Sequence, residues 1–447
     1  MSDSRSAMTT PVPITHARVL RIAVPIVLAN MTVPLQGVAD TAVIGQIPDA
    51  TPIAAVAVGA ALLSTLLWVF GFLRMGTAGM TAQAHGAGNR AEVAALLTRA
   101  LMIGGAGGLL LIPLMGPIAD LGFAYSPATE EVKTLAREYM DIRILSAPAA
   151  VAIFGINGWL GAQEHTRAML VLQIWIVSLN IALNLLFVVG WDLGVPGLAW
   201  ATVCADWTGF ALGLWLCRRA FANPAWRDWP RVFDRARLRV MAMVNSDILL
   251  RSLMLEAVLL SFIFYYSAGF GVAVLAASHV LLHFIQIMAY ALDGFAFAAE
   301  AMVGQAFGAR ALDRLRRAVW LTSLWGFLSN FAFALAFALL GGLIIDGMTK
   351  DPEVQQAARR FLPWIVLAPV LGLPAWMLDG IFIGATRTRD MRNMMAISVG
   401  IYFIAATLLI PLWGPHGMWA ALMIAFVARG VTLGLRYPSL ERAVLAG

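Results

Sequence analysis

The sequence predicts an all-α polytopic membrane protein: twelve transmembrane helices in two six-helix lobes that are related by a parallel repeat. Three observations lead to this fold class. Of the 447 residues, 60% are hydrophobic and 13% are charged, which is about half the charged fraction of a soluble protein. Apolar runs of about 20 residues, the length that crosses a bilayer, recur along the chain. An internal repeat also relates the first half of the chain to the second.

Each apolar run is interpreted as one membrane-spanning helix. In the first half the predicted spans cover 17–46, 52–82, 93–119, 132–157, 167–190 and 195–217. In the second half they cover 238–268, 272–305, 316–345, 355–383, 393–411 and 416–437. We therefore expect an N-lobe over residues 1–217, a cytoplasmic linker over 218–239 and a C-lobe over 240–447. Residues 1–15 are polar and lack a signal-peptide core, so the first span is expected to act as the targeting signal.

The internal repeat is carried by short motifs about half a chain apart. The segment Gln83-Ala84-His85-Gly86-Ala87 follows the second span, and Gln305-Ala306-Phe307-Gly308-Ala309 follows the eighth. Asn157-Gly158 similarly matches Asp379-Gly380. Because each half contains an even number of spans, the repeat is parallel, with its axis along the membrane normal. This arrangement is typical of alternating-access transporters.

The distribution of charge predicts the orientation in the membrane. Arginines are concentrated in the loops of one side, and acidic residues in the loops of the other side. The positive-inside rule therefore places both termini in the cytoplasm. It also explains the net charge of +6 without a nucleic-acid partner. Cys204 and Cys217 fall in apolar segments and indicate neither a disulfide framework nor a metal site.

Asp40 is the residue around which the first span is organised. An ionised carboxylate in hydrocarbon costs about 2.5–3.5 kcal/mol on insertion scales, so it is retained where it faces water, a partner or a proton path. Gln36 precedes it by one helical turn, and Pro25 and Pro34 interrupt the same helix. We predict that Asp40 is a functional residue whose protonation allows the proline-weakened helix to move, and that Gln36 belongs to its pocket. The alternative is a static aspartate bonded to a neighbouring helix.

Polar residues of the fifth and sixth spans are predicted to surround Asp40. Asn180 and Asn184 are four residues apart, as are Thr202 and Asp206, so each pair shares a helical face. At ~1.5 Å per residue, these residues lie ~18, ~24, ~20 and ~14 Å from the cytoplasmic end, and Asp40 lies at ~28 Å. We expect them to form a substrate or proton pocket in the outer half of the N-lobe. The alternative is ordinary interhelical hydrogen bonding, worth about 0.6 kcal/mol per contact.

The eighth span carries a stripe of mostly polar residues at helical spacing, and we expect the stripe to line the cleft between the lobes. Its members are His279, His283, Gln286, Tyr290, Asp293, Phe297 and Glu300. His279 and His283 have the spacing of metal ligands, but the sequence offers no third ligand. We therefore predict no metal site.

Further charged residues are secondary candidates. Glu256 in the seventh span is a second candidate for a proton or cation site. Asp247 and Arg251 are four residues apart and are expected to pair with each other. Arg74 and Asp293 occupy repeat-related places, both ~30 Å from the outer ends of their spans. We predict that they pair across a closed cytoplasmic gate. The alternative is that Arg74 snorkels to the interface and Asp293 bonds within its own lobe.

Several motifs carry a family resemblance over nearly the whole chain. They are Pro25 and Pro34 with Asp40-Thr41, Arg74 with Thr81-Ala82-Gln83-Ala84-His85-Gly86, Asp247 to Arg251, Leu292-Asp293-Gly294-Phe295, Gly304-Gln305, Leu378-Asp379-Gly380, and Phe382-Ile383-Gly384-Ala385-Thr386-Arg387. With these motifs the chain resembles the multidrug and toxic-compound extrusion (MATE) transporters, specifically their DinF-like branch. The resemblance implies a V-shaped pair of lobes and a proton-coupling role for Asp40. It also implies roles for Asn180, Asn184 and Thr202, although some members carry Asp where this chain has Asn184.

We therefore expect a proton-coupled antiporter that exports amphipathic, cationic drugs or toxic compounds. It is expected to act as a monomer in the inner membrane without a cofactor. Sodium coupling is less favoured: Glu256 matches one carboxylate of the sodium-using branch, but Asp379 lies too near the cytoplasmic end to match the other. One alternative is a flippase for a lipid-linked precursor, which a basic cleft would favour. An intramembrane enzyme is less favoured, since the spans lack HExxH, Gly-x-Ser-x-Gly and Asp-rich diphosphate motifs.

Overall fold

The computed structural model describes residues 13–46, 49–124 and 128–446. Most of the polar N-terminal segment therefore lies outside the described residues. Within the described part, 11 helical segments are long and apolar enough to cross a membrane. The remaining predicted span is a helix of 23 residues, Gly194–Leu216, which three tryptophans and Asp206 make less apolar. The predicted all-α fold with twelve spans is confirmed.

The helices of the first half form the N-lobe. They are α1 His16–Ile44, α2 Ala50–Trp68, α3 Gly71–Gly86, α4 Arg90–Ala124, α5 Glu130–Arg143, α6 Ala147–Ala162, α7 Thr166–Asn184 and α8 Gly194–Leu216. The short helices α9 Arg218–Phe221 and α10 Trp229–Val232 lead to the second half. The C-lobe contains α11 Arg235–Leu260, α12 Val272–Gly308, α13 Leu312–Met348, α14 Pro352–Gly384, α15 Thr388–Trp413 and α16 Pro415–Ala446.

Several predicted spans are interrupted helices. The second span is broken at Val69 and Phe70, between α2 and α3, and the fourth contains a 3₁₀ turn at Ile144–Ser146 between α5 and α6. The fifth and seventh spans continue as π-helical segments, Leu185–Gly190 and Ser261–Ser267. Side-chain caps explain several helix starts, because a cap satisfies backbone N–H groups that have no helical partner. Thr15 caps α1 and Asp234 caps α11, where the helix begins inside the segment predicted as linker.

The packing of apolar side chains shows how the lobes are joined. One core includes residues of both lobes, among them Ile22, Trp159, Phe295 and Phe382. A second core, which includes Ile44 and Phe123, belongs to the N-lobe, and a third, which includes Phe262 and Trp419, belongs to the C-lobe. The lobes therefore pack together at one end, here called the joined end, and are separate at the other, here called the open end. The arginine-rich connection between the lobes lies at the joined end.

Candidate functional site

The structure brings Asp40 into direct contact with Asn184. The Nδ2 atom of Asn184 donates a hydrogen bond to Oδ1 of Asp40 over 2.6 Å. Asp40 is half-buried near the C-terminal end of α1, whereas Asn184 is fully buried at the end of α7. Pro25 and Pro34 both lie inside α1, which remains one helix. The carboxylate is therefore held by α7 on the open-end side of Pro34.

A chain of hydrogen bonds continues from Asp40 into the N-lobe. Asn184 Nδ2 also donates to Asn180 Oδ1 over 3.1 Å, and Asn180 Nδ2 donates to Thr202 Oγ1 over 2.9 Å. The Thr202 hydroxyl donates to the carbonyl of Leu198 over 3.2 Å. Asn180 and Thr202 are buried. The chain therefore connects α1, α7 and α8, and four of the predicted pocket residues meet.

One atom of this chain lacks a partner. The side-chain oxygen of Asn184 is buried, and no donor among the described residues reaches it. An unsatisfied buried acceptor typically costs about 1–3 kcal/mol, so its presence calls for an explanation. The pocket therefore contains an unpaired hydrogen-bond acceptor beside Asp40.

The remaining predicted pocket residues are placed differently. Asp206 lies outside the hydrogen-bond chain: its Oδ2 forms an ion pair with Nη1 of Arg143 over 2.9 Å and accepts a hydrogen bond from Ser146 over 2.8 Å. Gln36 is half-buried, and within the described residues its side chain forms no hydrogen bond. Asp206 is thus neutralised by Arg143 and is separate from the hydrogen-bond chain that begins at Asp40.

Arg143 was missed by the sequence analysis. It lies close enough to both Asp40 and Asp206 to act on them electrostatically, and it bonds to Tyr139. The available signal was an arginine inside a predicted span, since ionisable residues within the membrane are functional candidates by default. Arg143 supplies a positive charge that can attract an ionised Asp40.

A cavity of about 460 Å³, here called the C-lobe cavity, is lined by C-lobe residues and by Trp68 of the N-lobe. Its wall carries the polar groups of Glu256, His279, His283 and Gln286. The last three belong to the polar stripe of α12, so the open-end part of that stripe faces this cavity. Aromatic rings of Trp68, Trp376 and Phe426 also line it. His279 and His283 form a T-shaped pair with ring centroids 5.0 Å apart, and the described residues contain no group of three metal ligands. The cavity offers an acidic group in an aromatic environment.

The predicted pair of Arg74 and Asp293 is wrong, because Arg74 binds Glu300 instead. The Arg74 guanidinium stacks over the ring of Phe297, 3.8 Å from its centroid, and its Nη1 atom lies 3.0 Å from Glu300 Oε2. The prediction compared the depths of the Cα atoms of Arg74 and Asp293. The long side chain of Arg74 extends along α12 toward the joined end and so reaches Glu300. The pair nevertheless connects the two lobes, since α3 belongs to the N-lobe and α12 to the C-lobe.

Breaking this interlobe pair should open the joined end. Glu300 is buried, and removing one partner of a buried pair typically costs about 3–5 kcal/mol. We expect Arg74→Ala and Glu300→Ala each to raise maleimide labelling of an Ala82→Cys reporter by about tenfold. The reporter requires a background without Cys204 and Cys217. The double swap Arg74→Glu with Glu300→Arg should restore part of the protection.

The control is a pair at the same end that lies within one lobe. Arg316 binds Glu441 through two hydrogen bonds of 2.8 Å, both residues belonging to the C-lobe. Reversing Arg316 to Glu should leave the labelling unchanged. Equal labelling in the Arg74→Ala variant and the parent protein would contradict a role for Arg74 in closure.

The predicted local pair of Asp247 and Arg251 is also wrong. Asp247 accepts a hydrogen bond of 2.6 Å from Arg392, and Arg251 forms an ion pair with Asp379. Arg429 shares the same Asp379 carboxylate. Arg251, Asp379 and Arg429 are all buried. Neighbouring helices therefore provide partners that the spacing within α11 could not reveal.

The repeated Gln-Ala-x-Gly-Ala motif forms the contact between the lobes. Gln83 of the N-lobe donates to the carbonyl of Gly384 over 3.1 Å, and Gln305 of the C-lobe donates to the carbonyl of Ala162 over 3.0 Å. Gly86 and Gly308 bring the backbones close together. A Cβ atom at Gly86 would lie 2.0 Å from the Gln305 carbonyl oxygen, and one at Gly308 would lie 2.0 Å from that of Gln83. The joined end is thus a reciprocal contact between repeat-related segments.

Comparisons with known proteins agree with this architecture. The sequence matches the MatE family over residues 25–186 and again over 249–408, so each lobe contains one copy of the family's repeat. It is 38% identical to the DNA damage-inducible protein F of Escherichia coli, over 92% of this chain and 90% of the relative. It is 26% identical to a probable multidrug resistance protein NorM of Caulobacter vibrioides, over 93% of this chain and 87% of the relative.

Solved structures show the same fold at lower sequence identity. The Vibrio cholerae MATE transporter VcmN in its bent form superposes with a TM-score of 0.87 at 19% identity, over 96% of this chain and 98% of the other. The eukaryotic MATE transporter AtDTX14 superposes with a TM-score of 0.81 at 17% identity, over 96% of this chain and 97% of the other. The V-shaped arrangement of two repeat-related lobes is therefore shared with these proteins.

Proposed function

Because this chain belongs to the MatE family of multidrug and toxic-compound extrusion transporters, we propose that it is a proton-coupled antiporter that exports amphipathic, cationic compounds by alternating access. The observation that carries the proposal is the contact between Asp40 and Asn184. It places a titratable group at the start of a buried hydrogen-bond chain, on a helix that contacts both lobes. Relatives are named multidrug resistance proteins, which supports the substrate class.

In this proposal a proton on Asp40 reverses the direction of the hydrogen-bond chain. An ionised carboxylate only accepts hydrogen bonds, as Asp40 does from Asn184. A protonated carboxyl also donates, so the Asn184 amide turns its oxygen toward Asp40. Asn180 then turns its amide nitrogen toward Asn184 and accepts a hydrogen bond from Thr202. Thr202 gives up its bond to the Leu198 carbonyl, and a change at α1 reaches α8.

The helix α1 connects this pocket with the C-lobe. Pro34 lacks an N–H group and so weakens α1 between Asp40 and the joined end. On the far side of Pro34, Asn30 donates a hydrogen bond of 3.2 Å to the carbonyl of Tyr290 in α12. Gly294 allows α1 and α12 to approach, because a Cβ atom there would lie 2.5 Å from Val27 Cγ2. Bending at Pro34 would therefore change an interlobe contact.

The charge of Asp40 supplies the driving force for this bend. When ionised, Asp40 is attracted to Arg143 in α5, and α1 is held against the N-lobe. Protonation removes the charge and weakens that attraction. The proton thereby favours release of the open-end half of α1, and loss of the proton favours its return.

We propose that the exported compound enters the C-lobe cavity. Its volume of about 460 Å³ lies within the range of about 300–1,000 Å³ that is usual for small-molecule sites. Glu256 is half-buried and can attract a cation, while the aromatic rings provide cation–π and apolar contacts. Asp293 and Tyr290 lie between this cavity and the joined end, along the same stripe. Arg429 also lines this cavity but is paired with Asp379. Glu256 and the aromatic rings therefore support drug export over the lipid-linked flippase, which a basic cleft would favour.

The structure also supports protons over sodium as the coupling ion. Sodium requires several oxygen ligands, and Asp379 of the tenth span, which already lies too near the cytoplasmic end to act with Glu256, is engaged by Arg251 and Arg429. The arginine-rich joined end is proposed to face the cytoplasm, which places both termini inside and the open end outside the inner membrane. We further propose that the protein acts as a monomer without a cofactor.

Imposed gradients test the coupling ion directly. In proteoliposomes, a pH gradient alone should drive uphill movement of a fluorescent organic cation such as ethidium. A sodium gradient at symmetric pH should give only the leak rate of liposomes without protein. Transport driven by sodium alone would refute proton coupling, and transport driven by neither gradient would refute the antiporter proposal for this compound class.

A further inference from the structure

Two adjoining cavities lie at the joined end of the N-lobe, away from the pocket of Asp40. One has a volume of about 460 Å³ and the other about 770 Å³. His165 and Arg219 line both cavities, so the two spaces share a wall. The proposed transport mechanism uses neither space.

The lining of these cavities is strongly basic and comes from separate segments of the chain. The basic side chains of the lining include Arg21, Arg90, Arg167, Arg219, His85 and His165. The one acidic residue of the lining, Glu164, is already bound by Arg18, whose Nε and Nη2 atoms lie 3.0 and 2.5 Å from its carboxylate oxygens. Four helices, α1, α4, α7 and α9, therefore each contribute an arginine without a carboxylate partner to the lining.

Three other arginines of the joined end are neutralised by the protein itself. Arg99 is paired with Glu92 at 2.6 Å, Arg316 with Glu441 at 2.8 Å, and Arg392 with Asp247 at 2.6 Å. Within the described part of the chain, no carboxylate pairs with Arg21, Arg90, Arg167 or Arg219. The positive-inside rule explains arginines on this side of the membrane, but it does not explain why these four, from separate segments, line two adjoining cavities.

We propose that these cavities bind a ligand that carries a phosphate group. Arginine forms paired, charge-assisted hydrogen bonds with phosphate, and Arg90 of α4 and Arg219 of α9 both line the larger cavity. The first residues of α7, Thr166 and Arg167, line the smaller cavity, and the positive end of the helix dipole adds to the field there. The helix end adds to the arginines and is not needed for the proposal. The proposal is independent of the exported compound.

Two sources would present the same chemistry: the headgroup of an anionic phospholipid and a soluble phosphate compound. Basic pockets between helices on the cytoplasmic side are a recognised form of anionic lipid site. The arms of the experiment separate the two sources. One arm raises the phosphatidylglycerol content of phosphatidylcholine nanodiscs that contain the full chain, and the other adds inorganic phosphate to nanodiscs of phosphatidylcholine alone.

The readout is the thermal unfolding midpoint, which rises when a ligand binds the folded protein. For wild type we expect a saturable rise in at least one arm. The double variant Arg90→Gln with Arg219→Gln should bind about tenfold more weakly, because it loses two charge-assisted contacts. If phosphatidylglycerol raises the midpoint and added phosphate does not reverse this rise, the ligand is the lipid. If phosphate itself raises the midpoint and competes with phosphatidylglycerol, the ligand is a soluble phosphate compound.

The matched control is Arg239→Gln, which alters an exposed arginine on the same side of the molecule but outside both cavities. It should keep an affinity within about twofold of wild type. All variants should share the wild-type midpoint in phosphatidylcholine alone, which establishes that they fold. If Arg239→Gln weakens binding as much as the double variant, the effect is general surface charge and the proposal is wrong. An absent response of wild type in both arms would also overturn it.

Discussion

Replacing Asp40 by asparagine is expected to abolish export driven by a pH gradient while leaving the protein folded and inserted in the membrane. Asparagine has almost the same shape and can still bond to Asn184, but it cannot bind or release a proton. It also lacks the charge that Arg143 attracts. We expect the initial rate of ethidium export from proteoliposomes to fall by about tenfold or more, because the coupled step is removed altogether. Binding of ethidium should persist.

The matched control is Asp192→Asn, which changes an exposed aspartate of the same lobe. The backbone of Asp192 has a φ of 53°, a conformation that asparagine tolerates well. This variant should export at the wild-type rate. If Asp40→Asn also exports at the wild-type rate, Asp40 is a static structural residue and proton coupling lies elsewhere.

Adding a single methyl group at Gly86 or Gly308 is expected to prevent the lobes from closing at the joined end. Each new Cβ atom would lie 2.0 Å from a backbone oxygen of the other lobe, whereas ordinary contact requires about 3.5 Å. A backbone oxygen in a helix cannot turn aside, so the lobes must separate. We expect Gly86→Ala and Gly308→Ala each to reduce export and to increase labelling of Ala82→Cys by about tenfold.

A weaker helix would not explain lost export in these variants. Gly86 and Gly308 are the last residues of α3 and α12, and neither has a positive φ, so alanine can adopt the same backbone conformation without strain. Gly105→Ala in α4 is the control, because a Cβ atom there would contact nothing within 4 Å. Wild-type labelling and export in both Gly86→Ala and Gly308→Ala would show that the lobes do not meet as described.

Local sequence patterns were sufficient to predict the fold and much of the polar pocket. Apolar runs identified the spans because a bilayer demands long uninterrupted hydrophobic segments. Helical spacing placed Asn180 and Asn184 on one face. Counting residues placed Asp40 near the depth of Asn184, and Thr202 near the depth of Asn180. These arguments succeed because rise per residue and periodicity are properties of a single helix.

Pairings between helices were less predictable. Arg74 was assigned to Asp293, and Asp247 to Arg251, from depth and spacing alone. The actual partners, Glu300, Asp379 and Arg392, depend on how helices rotate about their axes and how far arginine side chains extend. The same limit explains why Arg143 was overlooked, since its role depends on Asp206 of another helix. The repeated motif revealed the duplication, but its function as the interlobe contact required the packing of Gly86 and Gly308.

In the proposed mechanism one proton on Asp40 is exchanged for the exported compound. Proton release from purified protein in weakly buffered detergent solution, measured when ethidium is added, reports this exchange. We expect wild type and Asp192→Asn to release protons in proportion to the ethidium bound, while Asp40→Asn binds ethidium and releases none. Equal proton release by wild type and Asp40→Asn would show that Asp40 does not carry the exchanged proton.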